Sequence, residues 1–325
     1  MLTLLATGGT IACTPGKNGL EPTLGAADLL RMLGPAAPES VRARDVFTLD
    51  SSNVQPEEWR ALARAAHEAL KTCDGVVITH GTDTMAYTAA ALSFMLVGER
   101  KPVILTGSQL PMNHPLTDAR LNLLRAFAAA QAGVPGVYVC FGDRLISGVR
   151  CVKTHTTSMD AFSSVNAPQA GHFDVEGVHF SHPQRYTPPP GAEDLPLRDG
   201  IDPRVFLLKL VPGTSPDVLR FVREADYRGL VIEAFGLGGL HYIRRNLVRA
   251  LDALAKSGVR VLVVSQCLYE KADLGIYEVA SGLEPSRVRG GADMTTEAAV
   301  CKLMWALAQD DPDLWLSHRI IGEYR

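Results

Sequence analysis

Four polar clusters in this sequence could carry chemistry, and each also has a plainer reading. The first is Thr7-Gly8-Gly9-Thr10-Ile11. Two adjacent glycines let the backbone turn sharply and bring amides close to a ligand. The Thr10 hydroxyl beside them could act as a nucleophile while those amides hold an oxyanion. The same residues also fit a tight turn, or a phosphate loop lacking its usual lysine. The second cluster is Asp50-Ser51-Ser52-Asn53. Hydroxyls and amides ahead of a helix bind anions such as a carboxylate, and they serve equally as helix caps. The third, His80-Gly81-Thr82-Asp83-Thr84, offers a second hydroxyl in Thr82. Its Asp83 is either an anion able to hold an ammonium group or a helix cap. The fourth is Arg150-Cys151-Val152-Lys153-Thr154-His155. Lys153 reads as a surface lysine, or as one partly buried beside Asp83, where an ion pair would position it for proton transfer. His80 stands next to the third cluster, but a small-ligand site of this kind has no need of an imidazole. It is read as a packed, hydrogen-bonded histidine. Gly290-Gly291-Ala292-Asp293-Met294-Thr295 reads as a turn before the last long helix, capped by Thr295 or Asp293.

The elements that must position these clusters alternate along the chain. Short β-branched runs predict strands over 2–6, 46–49, 76–79, 103–106 and 137–141. Amphipathic spacing predicts helices over 55–72, 84–97 and 118–132. Pro56 suits the first turn of one helix; Thr117 and Gly133 suit the start and stop of another. After a proline-rich break the alternation resumes, with strands over 205–210, 229–234 and 259–264 and helices over 216–224, 242–257 and 295–308. The expected fold is α/β with two domains. The larger, at 1–185, has a parallel sheet with helices on both faces and holds Thr10 and Thr82. A linker spans 186–204, with the boundary near residue 190, and a smaller α/β domain occupies 205–325. In such sheets ligands bind just past the carboxyl ends of strands, where the four clusters fall.

Composition narrows the class. With 325 residues, two domains are the natural expectation. Hydrophobic residues make up 46% and charged residues 21%, an ordinary soluble balance. The formal net charge is -3 and the basic residues are dispersed, so a nucleic-acid partner is not expected. The six cysteines form no CxxC pair and have no histidine at zinc-finger spacing, and are read as free buried thiols. The apolar start has no basic flank and is cut by Thr7, Gly8 and Gly9, so it reads as a strand rather than a signal peptide. No apolar run is long enough to span a membrane, and a cytoplasmic location is the expectation.

Taken together, ATGGTIA at 6–12, LDSSN at 49–53, HGTDTMAYTAAALSFML at 80–96, PVILTGSQLP at 102–111 and RCVKTH at 150–155 resemble the bacterial L-asparaginase family, in order and approximate spacing. VVSQC at 263–267 and GGADMTTEAAVCKL at 290–303 extend the resemblance over nearly the whole chain, most closely to the cytoplasmic, type I branch. The resemblance implies that Thr10 attacks the side-chain amide of L-asparagine, releasing ammonia, and that water then frees aspartate from the ester. It implies a proton-moving set of Thr82, Lys153 and Asp83. A lysine can take the threonine's proton only where its surroundings favour the neutral amine. It also implies that Asp83 holds the substrate's ammonium and Ser51 its α-carboxylate. Asp50 and Ser52 are further binding positions. No metal or organic cofactor is needed, and a homodimer or homotetramer is expected.

Two positions depart from the family. Leu20 stands where its mobile lid carries a tyrosine, and the lid over 17–23 holds no tyrosine at all. Gly236-Leu237-Gly238-Gly239 has glycine in place of an asparagine that helps build the neighbouring subunit's site. Other readings are an amidotransferase subunit that supplies ammonia for tRNA, and an amino-acid sensor. The first expects an added N-terminal domain, and this chain starts directly at its first strand. The second expects ligand binding without ammonia release, and has no need of Thr10, Thr82 and Lys153 together.

Overall fold

A computed structural model describes residues 1–17, 19–191, 195–274 and 287–325. Part of the expected linker and of its proline-rich stretch, at 192–194, lies outside the described residues, as does Asn18 of the lid. The chain forms two compact units, Met1–Asp199 and Gly200–Arg325.

The first unit begins with β1 (Leu2–Gly8), a hairpin of β2 (Cys13–Gly16) and β3 (Gly19–Pro22), α1 (Ala26–Leu33) and β4 (Val41–Leu49). It continues through α2 (Pro56–Leu70), β5 (Gly75–Thr79), α3 (Met85–Met95), β6 (Pro102–Thr106), α4 (Ala119–Gln131) and β7 (Gly136–Phe141). Five short strands follow: β8 (Arg144–Ser147), β9 (Cys151–Lys153), β10 (Phe162–Ser164), β11 (Gly171–Asp174) and β12 (Gly177–Phe180). The main sheet has the order β12-β11-β8-β7-β6-β5-β1-β4. From β7 to β4 every pairing is parallel. Strands β1, β5 and β6 are buried along their whole length, while edge strand β4 is largely exposed; that burial is why β5, Gly-Val-Val-Ile-Thr, is continuously apolar up to its last residue. The far edge, β8, β11 and β12, is antiparallel, and the sequence pattern gave no sign of it. Gly142, at φ 59, makes the tight turn that returns the chain from β7 to β8.

Helices α1 and α4 bury Leu29, Leu33, Leu123 and Phe127 against Leu4, Val77, Ile104 and Tyr138 of the strands. Truncating a side chain buried as deeply as Phe127 costs about 3–5 kcal/mol. Helices α2 and α3 pack against each other and on strands β5 and β7. The chain lays β4 on one side of β1 and then β5 on the other. The carboxyl ends of β1, β4 and β5 therefore flank a point where the strand order reverses, the usual place for a ligand crevice in an open α/β sheet.

The second unit contains β13 (Val205–Lys209), α5 (Asp217–Glu224), β14 (Gly229–Ala234), α6 (Leu247–Lys256), β15 (Arg260–Ser265), β16 (Val288–Gly290), α7 (Thr296–Ala306) and α8 (Pro312–Ser317). Its sheet is parallel in the order β13-β14-β15-β16. The helix expected from residue 242 starts only at Leu247, because Asn246 caps it by accepting the Arg249 amide at 2.9 Å. Thr295 caps α7, accepting from the Ala298 amide, while Asp293 takes the amide and guanidinium of Arg325 at 2.7 Å each. On α7, Lys302 forms an ion pair with Glu323 at 2.7 Å, with both side chains fully buried.

All six cysteines are free, but Cys267 is exposed, against the expectation that all are buried. Among the described residues, no helix is long and apolar enough to cross a membrane.

Candidate active site

The ends of β1, β4 and β5 bring the first three clusters into contact, and glycine makes that contact possible. Gly8 has φ 96, and a Cβ there would lie 2.6 Å from the Leu49 backbone nitrogen at the end of β4. The register between β1 and β4 slips between Ala6 and Gly8, which sets Leu49 opposite Gly8. Gly9 has φ 75, and its Cβ would overlap the backbone of Gly81. A Cβ on Gly81 would in turn sit 2.5 Å from the Ser51 hydroxyl oxygen. Residues Gly9, Ser51 and Gly81, far apart in sequence, are thus in close apposition.

Thr10 follows Gly9 directly and opens a short 3-10 turn, Thr10–Ala12. The Gly9 amide donates to the Leu49 carbonyl at 2.9 Å, so it is not available to a ligand. The next amides lie at the open start of the turn, where backbone N–H groups lack helical partners. Cys13 donates its thiol to the Gly9 carbonyl at 3.4 Å; burial, and then the nearby Asp50, push that thiol's pKa up.

Asp50 precedes a second short turn, Ser51–Asn53. Its carboxylate accepts the Ser52 hydroxyl, and the Ser52 amide at 2.8 Å. Those two bonds, the hydroxyl's first, hold the Asp50 carboxyl below its usual range. Ser51 is buried at 3% exposure, and its carbonyl accepts the Thr84 hydroxyl at 2.7 Å.

Thr82, Asp83 and Lys153 come together. The Lys153 ammonium donates to the Thr82 hydroxyl at 2.9 Å and to the Asp83 carboxylate at 2.5 Å. The Lys153 side chain is only 16% exposed, so it is not the solvated surface lysine of the plainer reading. Asp83 does not cap α3 either; Thr84 holds the cap position and its hydroxyl turns to Ser51. The Asp83 side chain is 64% exposed and faces solvent beside the buried Thr82.

Gln109 was not singled out by the sequence reading, although it lies inside the PVILTGSQLP block. Its side-chain NH2 donates to the carbonyls of Thr156 at 3.0 Å and Ser158 at 2.9 Å. That leaves its oxygen turned toward Thr82, 3.5 Å from the hydroxyl. Asp118 fixes the loop by accepting the amides of Gln109 and Leu110. An Asp eight to nine residues beyond a Gly-Ser-Gln corner is the only sequence signal for this.

His80 is fully buried and hydrogen-bonded at both ring nitrogens, in line with the packed-histidine reading. Burial drives its pKa down to about 4, against a weaker upward pull from the Gly81 carbonyl. It is a neutral ring at physiological pH. The hairpin beyond Thr10 pairs Pro15 with Leu20 and is tied by the Thr14 and Thr23 hydroxyls at 2.8 Å. Leu20 is 56% exposed on it.

This fold and cleft have close counterparts. A family model described as the N-terminal asparaginase domain matches residues 1–186, and one described as the glutaminase/asparaginase C-terminal domain matches residues 204–314. The chain belongs to the asparaginase family. An L-asparaginase of Thermococcus kodakarensis is 41% identical over 94% of this chain and 92% of its own. A solved thermostable L-asparaginase from Thermococcus kodakarensis superimposes with a TM-score of 0.89 at 39% identity, covering 100% of this chain and 99% of that one. A probable cytoplasmic L-asparaginase from Campylobacter jejuni gives 0.80 at 27% identity, with 97% and 98% covered. A glutamyl-tRNA(Gln) amidotransferase subunit of Methanothermobacter thermautotrophicus is 36% identical over 99% of this chain and 76% of its own length.

Proposed function

We propose that this protein is an L-asparaginase that hydrolyses the side-chain amide of L-asparagine to L-aspartate and ammonia. The observation that carries the mechanism is the Lys153 ammonium, within hydrogen-bond reach of both the Thr82 hydroxyl and the Asp83 carboxylate. The Thr10 oxygen attacks the amide carbon, and its proton passes to the departing amine. The C–N bond breaks, ammonia leaves, and a β-aspartyl ester remains on Thr10. A water then attacks the ester carbon as its proton passes through the Thr82 hydroxyl to Lys153 in its neutral amine form, and that proton returns to the departing Thr10 oxygen and restores its hydroxyl. Backbone amides at the open start of the 10–12 turn suit the oxyanion. Asp83, its side chain mostly exposed, is suited to the substrate's ammonium. Ser51 is suited to its α-carboxylate, with Asp50 and Ser52 shaping the turn that carries it. The domain roles follow: the catalytic threonines lie in 1–185, and 205–325 forms the smaller domain.

Thr10→Ala tests this. We expect ammonia release from asparagine to disappear while far-UV circular dichroism is unchanged. Full activity in Thr10→Ala would remove the proposed nucleophile.

The likeness to an amidotransferase subunit supports a second reading, ammonia supply to a tRNA-linked partner. Release of ammonia from free asparagine by the purified chain, at rates independent of added tRNA, separates the two.

A homodimer or homotetramer in the cytoplasm is the proposed working form. Exposed Leu237, Tyr242, Ile243, Leu268 and Tyr269, beyond strands β14 and β15, support a self-association surface. The name of the Campylobacter jejuni relative supports the compartment. A monomeric mass by light scattering would remove the oligomer.

A further inference from the structure

We infer that His80 is a positioning residue, fixing the Gly81 turn from which Thr82 and Asp83 are presented. It does so through one chain of hydrogen bonds from Trp59 through Thr88 to its imidazole. This rests on the amide-hydrolase reading above.

The roles in the chain are set by chemistry. The Gly81 carbonyl can only accept, so the His80 Nδ1 at 2.7 Å must carry the proton. The ring is neutral, so its Nε2 accepts, and the Thr88 hydroxyl at 3.0 Å donates to it. That hydroxyl accepts in turn from the Trp59 indole N–H, a donor only, also at 3.0 Å. Each link uses one donor and one acceptor, and all lie in the buried interior, where an unpaired polar group is costly. Trp59 sits on α2 and Thr88 on α3, so the chain runs from two helices of one layer to a loop at the sheet's end.

The object it holds matters for the reaction. Gly81 is wedged between Gly9, which carries Thr10, and the Ser51 hydroxyl. The His80 amide is itself pinned to the Thr106 carbonyl at 2.9 Å. A change at the imidazole therefore cannot move the His80 backbone, but it can rotate the Gly81 peptide that leads into Thr82. A shift of that peptide changes the Thr82 and Asp83 distances to Lys153 at once. Misplacement by about 1 Å in such sites costs on the order of a hundredfold in rate.

The test pairs a disruptive with a conservative substitution at two positions. His80→Leu and Thr88→Val break the chain; His80→Asn keeps an N–H donor near the Nδ1 place, and Thr88→Ser keeps the hydroxyl. Ammonia release from asparagine and calorimetric binding of aspartate are measured on each variant, at temperatures where circular dichroism shows it folded. We expect His80→Leu and Thr88→Val to lose about tenfold or more in kcat/KM, mostly in kcat, and the conservative variants to recover most of it. If His80→Leu fails to fold, the Thr88 pair decides. A folded Thr88→Val with kcat within about twofold of the unmutated protein would overturn the assignment. If the unmutated protein binds aspartate but releases no ammonia, the asparaginase reading fails alone. Aspartate affinity then decides: about tenfold weakening in Thr88→Val supports the positioning role, and unchanged affinity overturns it. An unmutated protein that shows neither activity nor aspartate binding overturns both.

Discussion

Acidification should cost this protein stability through His80 before its depressed carboxylates begin to titrate. The buried ring has its pKa lowered from 6.5 to about 4, chiefly by loss of hydration. The unfolded chain therefore takes up a proton more readily than the folded one between those values. The His80 contribution is complete above 6.5 and is lost as pH falls from there toward about 4. The whole shift is worth about 3 kcal/mol, and about 2 kcal/mol of it is lost between about pH 7 and about pH 5. Asp50, Asp313 and Glu323 are held below their ordinary carboxylate values of 3.8 to 4.5, so their contributions fade only at lower pH. Urea unfolding of the unmutated protein and His80→Asn at the two pH values isolates the effect. We expect the unmutated protein to lose about 2 kcal/mol more than the variant over that interval. Equal losses would refute the reasoning, since they would mean that the ring is protonated as easily inside the fold as outside it.

Three further outcomes follow from the geometry. Glu323→Gln leaves the Lys302 ammonium charged and fully buried beside a weaker acceptor, and should cost about 3–5 kcal/mol by urea unfolding, with little change in KM. Gly9→Ala combines a positive φ with overlap on the Gly81 backbone; we expect a loss of about 2 kcal/mol or more and an activity deficit larger than that of any exposed-loop alanine substitution. Leu20→Tyr, on the exposed hairpin, should raise kcat for asparagine while leaving Tm within about 1 °C, because the ring adds no buried contact. An unchanged kcat would show that the lid hydroxyl is not what limits turnover.

Much of this was legible in the sequence because it rests on local rules. The continuous apolar run of β5, the proline and glutamates that open α2, and the glycine that stops α4 each announce their element, and the structure ends them within a residue or two of expectation. The alternation of strand and helix implied a parallel sheet, and the clusters fell at its carboxyl edge. The antiparallel edge was not legible, since β8, β11 and β12 are four residues each, too short for a period of two to stand out from turn sequence. Helix α6 was placed too early because Tyr242 and Ile243 continue its apolar spacing, although Asn246 is the residue that starts it. In the site, the cluster around Lys153 read equally as a surface lysine, and only the resemblance implied that it stands beside Asp83, where the structure places it. Gln109 was hidden, because its place depends on carbonyls at 156 and 158, contacts that no local pattern encodes, and the nearby Asp118 is the one local signal.

The stacking of Gly9 on Gly81 and of Gly81 on Ser51 has a consequence for how this cleft can diversify. Three loops share one wall, so none can lengthen, kink or exchange a glycine without displacing the other two. Laboratory evolution of a new amide preference would find these backbone positions closed and epistatic. The accessible variation lies in side chains outside that wall, Gln109, whose oxygen faces Thr82 from the loop after β6, and Leu20, exposed on the hairpin that follows Thr10. A library restricted to those two positions should yield folded, altered-preference variants at a far higher rate than one spread over residues 8–10 and 80–82.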